Sequence, residues 1–135
     1  MPLLVDTGVL FALADRRDAW HPKVKRYLQT TPQTLLAPVT ILPEVAYLLR
    51  HRIGSHAERA FVASLAKGEL AVEELTGRDW KRAEVLMSAY DFLGFVDASV
   101  VAIAERLRLV TIATTDRRDF GVVGPAHVER FVLVP

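Results

Sequence analysis

The fold of this chain is decided by residues 96–116, which have the sequence VDASVVAIAERLRLVTIATTD. From Val96 to Arg108, apolar residues recur every three or four positions, and this spacing is typical of a helix with one buried face. The next residues, Leu109–Ala113, form a short run rich in apolar and β-branched side chains, which predicts a buried strand. A helix followed at once by such a strand indicates an α/β unit.

The same alternation extends over the rest of the chain. The predicted strands are Leu3–Val5, Thr34–Ala37, Leu70–Val72, Leu109–Ala113 and Phe131–Val134. The predicted helices are Gly8–Ala14, His21–Thr30, Pro43–Arg52, Ser55–Leu65, a helix from Thr76 to about Tyr90, and Val96–Arg108, with Ser55 and Thr76 as N-caps. Strands that are apolar on both faces and separated by helices imply the α/β class, with a mainly parallel sheet covered on two sides.

Length and composition limit the possible kinds of protein. With 135 residues, 51% of them hydrophobic, the sequence predicts a single domain spanning residues 1–135 that folds without disulfides or a structural metal. The absence of Cys excludes thiolate zinc sites and a catalytic cysteine. No basic segment precedes the first apolar run, and no stretch approaches the roughly 18 apolar residues of a membrane span. We therefore expect a cytoplasmic protein without membrane contact.

Four acidic residues stand where a ligand site is expected in a parallel sheet. Asp6 directly follows the first strand, and Asp116 follows the fourth after a Thr114-Thr115 step, so both should lie at the carboxyl edge of the sheet. Asp97 opens a helix and shares its buried face, while Glu44 lies in the first turn of another helix. Each of these residues alone has an ordinary alternative role as a helix-terminal or turn residue. Their convergence is the argument for a site.

Close carboxylates resist joint ionisation unless a cation neutralises them. Oxygen ligands without Cys or a suitably spaced His pair favour Mg²⁺ or Mn²⁺, which also bind phosphate oxygens. Such a site is suited to hydrolysis of phosphodiester bonds.

Four motifs, Val5–Leu10, Pro43–Val45, Val96–Ser99 and Ile112–Phe120, together resemble those of PIN-domain ribonucleases in order and spacing. Within that family, this chain, as a small single-domain form, is similar to VapC-type toxins of bacterial toxin–antitoxin pairs. The resemblance implies a three-layer α/β/α fold and Mg²⁺- or Mn²⁺-dependent endoribonuclease activity. It also implies that the metal-binding and catalytic residues are Asp6, Glu44, Asp97 and Asp116.

The resemblance extends to supporting residues and partners. Thr114 matches a hydroxyl residue expected to hold the last carboxylate or a water on the metal. Thr7 matches a small polar position beside the first acid, and Asp119 is an outer group that the resemblance allows near the metal. The implied partners are RNA as substrate, a cognate VapB-type antitoxin that blocks the site, and a second copy of the chain in a homodimer.

The distribution of charge along the chain fits a nucleic-acid substrate better than the net charge does. The chain has 17 basic and 16 acidic residues, a net charge of +1. Without the four acids of the predicted site, 17 basic residues stand against 12 acidic ones, a balance of +5. Basic residues expected to contact RNA follow the first and last acids: Arg16, Arg17, Arg117 and Arg118. Lys23 and Lys25 are expected only as solvated surface charges. The larger aromatic residues are expected in the core or a dimer contact: Trp20, Tyr47, Trp80, Tyr90 and Phe92.

Three other functions are open to the sequence. Asp6-Thr7-Gly8 matches the DTG signature of aspartic proteases, although that chemistry needs two such motifs in an all-β frame. A receiver-type signalling domain would need adjacent acids after the first strand and a late strand-end Lys, and the sequence has neither. A catalytically silent binding module with the same fold is the remaining alternative.

Overall fold

A computed structural model describes residues 1–135 as alternating short strands and helices. The strands are β1 Leu3–Val5, β2 Leu35–Pro38, β3 Ala71–Glu73, β4 Thr111–Ala113 and β5 Val132–Val134. The helices are α1 Thr7–Ala14, α2 His21–Thr30, α3 Leu42–Arg52, α4 Ser55–Ala66, α5 Gly77–Ala89, α6 Phe95–Leu107 and α7 Arg117–Val122. A 3₁₀ turn, Val39–Ile41, joins β2 to α3. None of the helices combines the length and the apolar character needed to cross a bilayer.

The five strands form one parallel sheet in the order β3-β2-β1-β4-β5. The chain moves outward from β1 to β2 and β3, then returns to the other side of β1 to form β4 and β5. Because β–α–β crossovers are right-handed, this reversal places α1–α4 on one face and the α5–α6 pair on the other. The helices pack accordingly: α1 contacts α2 and α3, α3 contacts α4, and α5 contacts α6. The predicted α/β/α architecture with a parallel sheet is confirmed.

The core lies where the central strands meet both helix layers. Leu3, Leu4 and Val5 of β1 are completely buried, as a strand covered on two faces requires. In the helix layer formed by α5 and α6, α6 buries seven consecutive residues, from Ala98 to Ala104. The predicted helix Val96–Arg108 and the strand after it therefore form the middle of the molecule.

The structure corrects one local expectation and adds one helix. Ser55 is not an N-cap: Gly54 occupies that position without a side-chain hydrogen bond, and Ser55 is the first residue of α4. The short helix α7 was not expected, because six residues are too few to show a helical period. The predicted cap at Thr76 is present as a capping box, in which Thr76 and Asp79 each bond the other's backbone N–H.

Candidate active site

The reversal of strand order between β1 and β4 opens a crevice at the carboxyl edge of the sheet. Asp6 follows β1 and is only 6% exposed. Its Oδ1 accepts a hydrogen bond from Val9 N at 3.1 Å, so that Asp6 is the N-cap of α1. Its Oδ2 accepts a hydrogen bond from the Thr114 hydroxyl, at the end of β4. Both carboxylate oxygens are thus held in place by two neighbouring elements.

Thr114 connects the two strand ends. Its hydroxyl donates to Asp6 and accepts from the backbone N of Asp116 at 2.8 Å. The resemblance implies that Thr114 holds the carboxylate of Asp116 or a water on the metal; its side-chain contact in the structure is with the carboxylate of Asp6. The threonine is fully buried, so this hydrogen-bonded link is shielded from water.

Three aspartates form the tightest acidic group in the structure. One carboxylate oxygen from each of Asp97, Asp116 and Asp119 lies within 4.8 Å of the others. Asp97 is in the first turn of α6, and Asp116 is the N-cap of α7, accepting from Asp119 N at 3.1 Å. The short helix α7 therefore brings Asp119, expected only as an outer group, into the group of three. That helix was not visible as a pattern, so its sequence gave no signal for this placement.

Asp6 and Glu44 complete the acidic cleft without belonging to that group of three. The cleft has a volume of about 460 Å³, and its acidic lining residues are Asp6, Glu44, Asp97 and Asp116. Glu44 is exposed in the first turn of α3. All four acids predicted from the sequence thus face one space, with Asp119 beside them.

Burial and repulsion make two of these carboxyl groups hard to ionise. Burial raises the pKa of Asp6 to about 6, although hydrogen bonds from Thr114 and Val9 favour its charged form. Burial also raises the pKa of Asp97 to about 7, reinforced by the negative charges of the surrounding acids, with Asp116 first among them. Close carboxylates with raised pKa values are the electrostatic condition that a bound cation relieves.

The donor chemistry of the cleft suits a hard divalent cation. Its polar side chains offer only oxygen atoms, and none of the four histidines lines it. The hydroxyl of Thr7, which also lines the cleft, is buried and has no hydrogen-bond partner in the protein. An unpartnered buried oxygen among carboxylates is an oxygen donor available to a cation or its water.

The four arginines predicted to contact RNA differ in their surroundings. Arg16 and Arg118 are exposed and make no ion pair or side-chain hydrogen bond. Arg17 is also exposed, but its guanidinium lies 3.7 Å from Asp15 and donates to the carbonyl of Arg52 at 3.3 Å. Arg17 is thus partly engaged within the protein, whereas Arg16 and Arg118 are free.

Arg117 is fixed by two contacts. Its guanidinium lies 5.6 Å from the centre of the Trp20 ring and donates a hydrogen bond to the carbonyl of Pro135. The backbone of Arg117 directly follows Asp116, and these contacts hold its positive charge against Trp20 and Pro135.

Two close approaches in the site were missed from the sequence. Thr40 and Ser99 form a hydrogen bond of 2.6 Å between the turn before α3 and helix α6. At the start of α1, Gly8 lies so close to Thr115 that a Cβ atom there would overlap the threonine hydroxyl. Small hydroxyl residues beside acids were the only available signal, and they are too common to single out a pair.

The aromatic residues expected in the core or in a dimer contact differ in their exposure. Tyr47, Trp80 and Phe92 are 61%, 56% and 47% exposed, so they do not pack in the core of this chain. Trp20 and Tyr90 are half-buried against the core.

The wholly parallel sheet argues against the aspartic-protease alternative, because that chemistry requires an all-β frame. In this fold Asp6-Thr7-Gly8 stands at a strand-to-helix junction.

Comparison with known proteins gives the same family at three levels. The family model for the PIN domain matches residues 3–124. Ribonuclease VapC26 of Mycobacterium tuberculosis is 29% identical, over 98% of this chain and all of that protein. The crystal structure of M. tuberculosis VapC20, described as a sarcin–ricin loop cleaving toxin, superposes with a TM-score of 0.83 and 27% identity, covering 94% of this chain and 98% of that one.

A more distant neighbour shares the fold. A chain of a toxin–antitoxin complex from Klebsiella pneumoniae superposes with a TM-score of 0.70 and 21% identity, over 96% of this chain and 99% of its own. The family match covers nearly the whole chain, and the parallel sheet and acidic crevice described above agree with it. This chain therefore belongs to the PIN-domain family.

Proposed function

We propose that this protein is a Mg²⁺- or Mn²⁺-dependent endoribonuclease and the toxin of a type II toxin–antitoxin pair. The observation that carries the proposal is the convergence of four acids, from β1, α3, α6 and the end of β4, in one cleft of a PIN domain. The likeness to Ribonuclease VapC26 and to the VapC20 toxin supports RNA as the substrate class.

We assign the metal-binding and catalytic roles to Asp6, Glu44, Asp97 and Asp116. Asp97 and Asp116, whose oxygens lie within 4.8 Å of each other and of Asp119, would hold the cation directly. Asp119 joins them as a third carboxylate, and the free hydroxyl of Thr7 is a further oxygen donor. When bound, Mg²⁺ or Mn²⁺ would neutralise negative charge on the phosphate under attack and lower the pKa of the attacking water.

The protein groups around the cation prepare this chemistry. The Thr114 hydroxyl and Val9 N hold both oxygens of Asp6, so that this carboxylate needs no reorganisation when the phosphate arrives. Arg118 and Arg16 are free to pair with phosphates, and Arg17 can do so by exchanging its contact with Asp15. Arg117 offers a cation already held in position beside Asp116.

We also propose two protein partners. The solved neighbours include toxin–antitoxin complexes, which supports a VapB-type antitoxin as the cognate inhibitor of this chain. For the homodimer, the exposed face of α5 offers Trp80 and Met87, and Trp80 stacks on Phe95 with ring centres 5.2 Å apart. A second copy would cover these rings, so Trp80→Glu should shift the protein from dimer to monomer in sedimentation equilibrium.

The test of the proposed function is cleavage of RNA by the purified protein. Transfer RNA, messenger RNA and ribosomal RNA containing the sarcin–ricin loop are offered with Mg²⁺, with Mn²⁺, and with EDTA. We expect cleavage with either metal and none with EDTA or with Asp97→Asn. Cleavage that survives both chelation and Asp97→Asn would refute the metal mechanism. RNA that stays intact with every metal, while still binding, would indicate a silent binding module.

A further inference from the structure

Trp20, at the start of α2, has two positive charges close to its ring. Its ring centre is 5.6 Å from the Arg117 guanidinium and 5.5 Å from the Lys23 ammonium group. Arg117 is the residue after Asp116, so one arginine side chain spans the distance from the acidic cluster to the indole ring. The ring therefore lies one arginine side chain and a further 5.6 Å from the backbone beside Asp116, although the sequence predicts it only in the core or a dimer contact.

The surroundings keep the ring in place. Trp20 N donates to Asp18 Oδ1 at 2.8 Å, and His21 Nδ1 lies 2.7 Å from the carbonyl oxygen of Ala12, which ties the start of α2 to α1. Arg117 is held in turn by the carbonyl of Pro135. Since the ring is half-buried against the core, little side-chain entropy remains to be lost on binding.

The exposed part of the ring lines a depression of about 390 Å³ that carries only positive charge. Its lining residues are Ala19, Trp20, Pro22, Lys23 and Arg26. Lys23 and Arg26 are exposed and make no ion pair with an acid, so both can rearrange toward an incoming anion. An aromatic ring next to cations without an acidic partner is the combination that single-stranded nucleic acids occupy, with a base on the ring and its phosphate on the cations.

We propose that Trp20, Lys23, Arg26 and Arg117 form a subsite for one unpaired nucleotide of the RNA, adjacent to the phosphate that is cut. The base stacks on the indole ring, and the phosphates flanking that nucleotide pair with Lys23 and Arg26. Arg117 lies between this nucleotide and the cleft, so it fixes the distance from the stacked base to the scissile bond. This inference rests on the proposed ribonuclease function and adds a requirement that the RNA be single-stranded beside the cleavage position.

Fluorescence tests the subsite directly, because the chain has only two tryptophans. In Trp80→Phe, Trp20 is the sole indole, and a further Asp97→Asn change keeps the RNA intact. Titration with a single-stranded oligoadenylate in Mg²⁺ should quench this emission. A matched protein, Trp20→Phe with Asp97→Asn, reports Trp80 alone and should show no quenching. Inorganic polyphosphate, which carries charge without bases, should bind more weakly and leave Trp20 emission unquenched.

Kinetics provide a second readout. Trp20→Ala should raise KM for single-stranded RNA about tenfold with little change in kcat, whereas Trp20→Phe should retain most of the affinity. Lys23→Ala should raise KM more than Lys25→Ala, an exposed lysine on the same helix that does not line the depression.

The outcomes separate this proposal from the ribonuclease function. If the wild-type protein cuts RNA but the oligoadenylate does not quench Trp20, or polyphosphate quenches it equally, the stacking subsite is wrong. Equal effects of Lys23→Ala and Lys25→Ala would also overturn the assigned cations. If no RNA is cut under any condition, the proposed function fails, and quenching of Trp20 would still decide whether the subsite binds a base.

Discussion

Thr40 Oγ1 and Ser99 Oγ lie 2.6 Å apart and join the 3₁₀ turn that leads into α3, the helix of Glu44, to α6, the helix of Asp97. Ser99 Oγ also donates to the carbonyl of Val96 at 2.6 Å, which uses its only proton. Thr40 must therefore be the donor in the bond between them. Because Thr40 lies four residues before Glu44 and Ser99 two residues after Asp97, we expect this bond to hold the spacing of the two acids across the cleft.

Replacing Thr40 should loosen that spacing. Thr40→Val keeps the shape of the side chain but removes the donor, leaving the fully buried Ser99 oxygen with one partner fewer. We expect a loss of about 1–3 kcal/mol in the free energy of unfolding and weaker binding of Mn²⁺. Thr40→Ser retains the hydroxyl and should behave like wild type. Urea unfolding and Mn²⁺ titration by calorimetry measure the two effects, and unchanged Mn²⁺ affinity in Thr40→Val would show that the bond does not position the acids.

Asp97→Asn should separate activity from stability. The pKa of Asp97 is raised to about 7 by burial and by its acidic neighbours, so its charge is unfavourable in the metal-free protein at pH 8. The amide removes that charge while keeping the size of the side chain. We expect a higher Tm than wild type in EDTA at pH 8, together with the loss of RNA cleavage in Mg²⁺. A lower Tm in EDTA would mean that the charged form of Asp97 is stabilised by contacts other than a metal.

The raised pKa of Asp97 also predicts how the stability of the metal-free protein depends on pH. A folded-state pKa of about 7, above the ordinary value of 3.8, means that the folded protein holds this proton more tightly than the unfolded chain. Without metal, this contribution to stability is complete below about pH 4 and is lost as the pH rises toward 7. Thermal melts in EDTA between pH 5 and 8 should show a fall in Tm that is smaller in Asp97→Asn. An equal fall in both proteins would assign the effect to other groups.

The affinity for the metal should change in the opposite direction and increase as the pH rises. A cation needs the charged forms of Asp6 and Asp97, whose pKa values are raised to about 6 and about 7. Below pH 7 the cation competes with protons, so the Mn²⁺ concentration for half-maximal cleavage should rise steeply between pH 8 and pH 6. Calorimetry in buffers of different ionisation enthalpy should detect protons released on binding at pH 6.5. Proton release of zero there would contradict the raised pKa values.

The sequence predicts most of the architecture because the central elements carry strong patterns. Strand β1 is buried on both faces, and α6 repeats apolar residues at helical spacing, so each has one stable environment. Asp6 could be found because a carboxylate at the end of a buried strand needs a partner. In contrast, Asp119 enters the acidic cluster through α7, a six-residue helix whose start depends on the Asp116 cap.

Pairwise contacts between distant segments were beyond prediction. Thr40 meets Ser99 across 59 positions, and Arg117 meets Trp20 only because the start of α2 and the start of α7 lie at the same edge of the sheet. Such contacts depend on the relative placement of helices, which hydrophobic periodicity does not specify. The topology must be known before a hydroxyl or an aromatic ring can be assigned to the site.

Asp79 should matter for stability and not for cleavage. It is 2% exposed and accepts from Arg106 Nε at 3.0 Å while capping α5. Burial alone would raise the pKa of Asp79, but the hydrogen bonds from Arg106 and Thr76 outweigh burial and lower it. Arg106 lies nine residues along α6 from Asp97, about 13 Å away. Asp79→Asn should therefore lower the free energy of unfolding by about 2 kcal/mol or more with wild-type cleavage of RNA.

The stabilisation that Asp79 contributes should weaken at acidic pH. Because the folded-state pKa of Asp79 lies below 3.8, its contribution is present at neutral pH and is lost as the pH falls below about 4. The difference in stability between wild type and Asp79→Asn should shrink in urea titrations at pH 3 compared with pH 7. A difference that is independent of pH would mean that the side chain acts by packing and not by charge.

Gly8 tests how closely the site is packed where α1 leaves β1. A Cβ atom there would overlap Thr115 Oγ1, while the Thr115 Cβ atom would remain at 3.5 Å, an ordinary contact. Gly8→Ala should therefore cost about 1–3 kcal/mol in stability and reduce cleavage, since Asp6 and the end of β4 must move apart. The double variant with Thr115→Ala removes the overlapping oxygen and should recover both. Alanine also favours a helix over glycine by about 1 kcal/mol, so the double variant should be at least as stable as Thr115→Ala alone. Failure of this rescue, measured by urea unfolding and RNA cleavage, would show that the close approach of α1 to Thr115 is not what requires glycine.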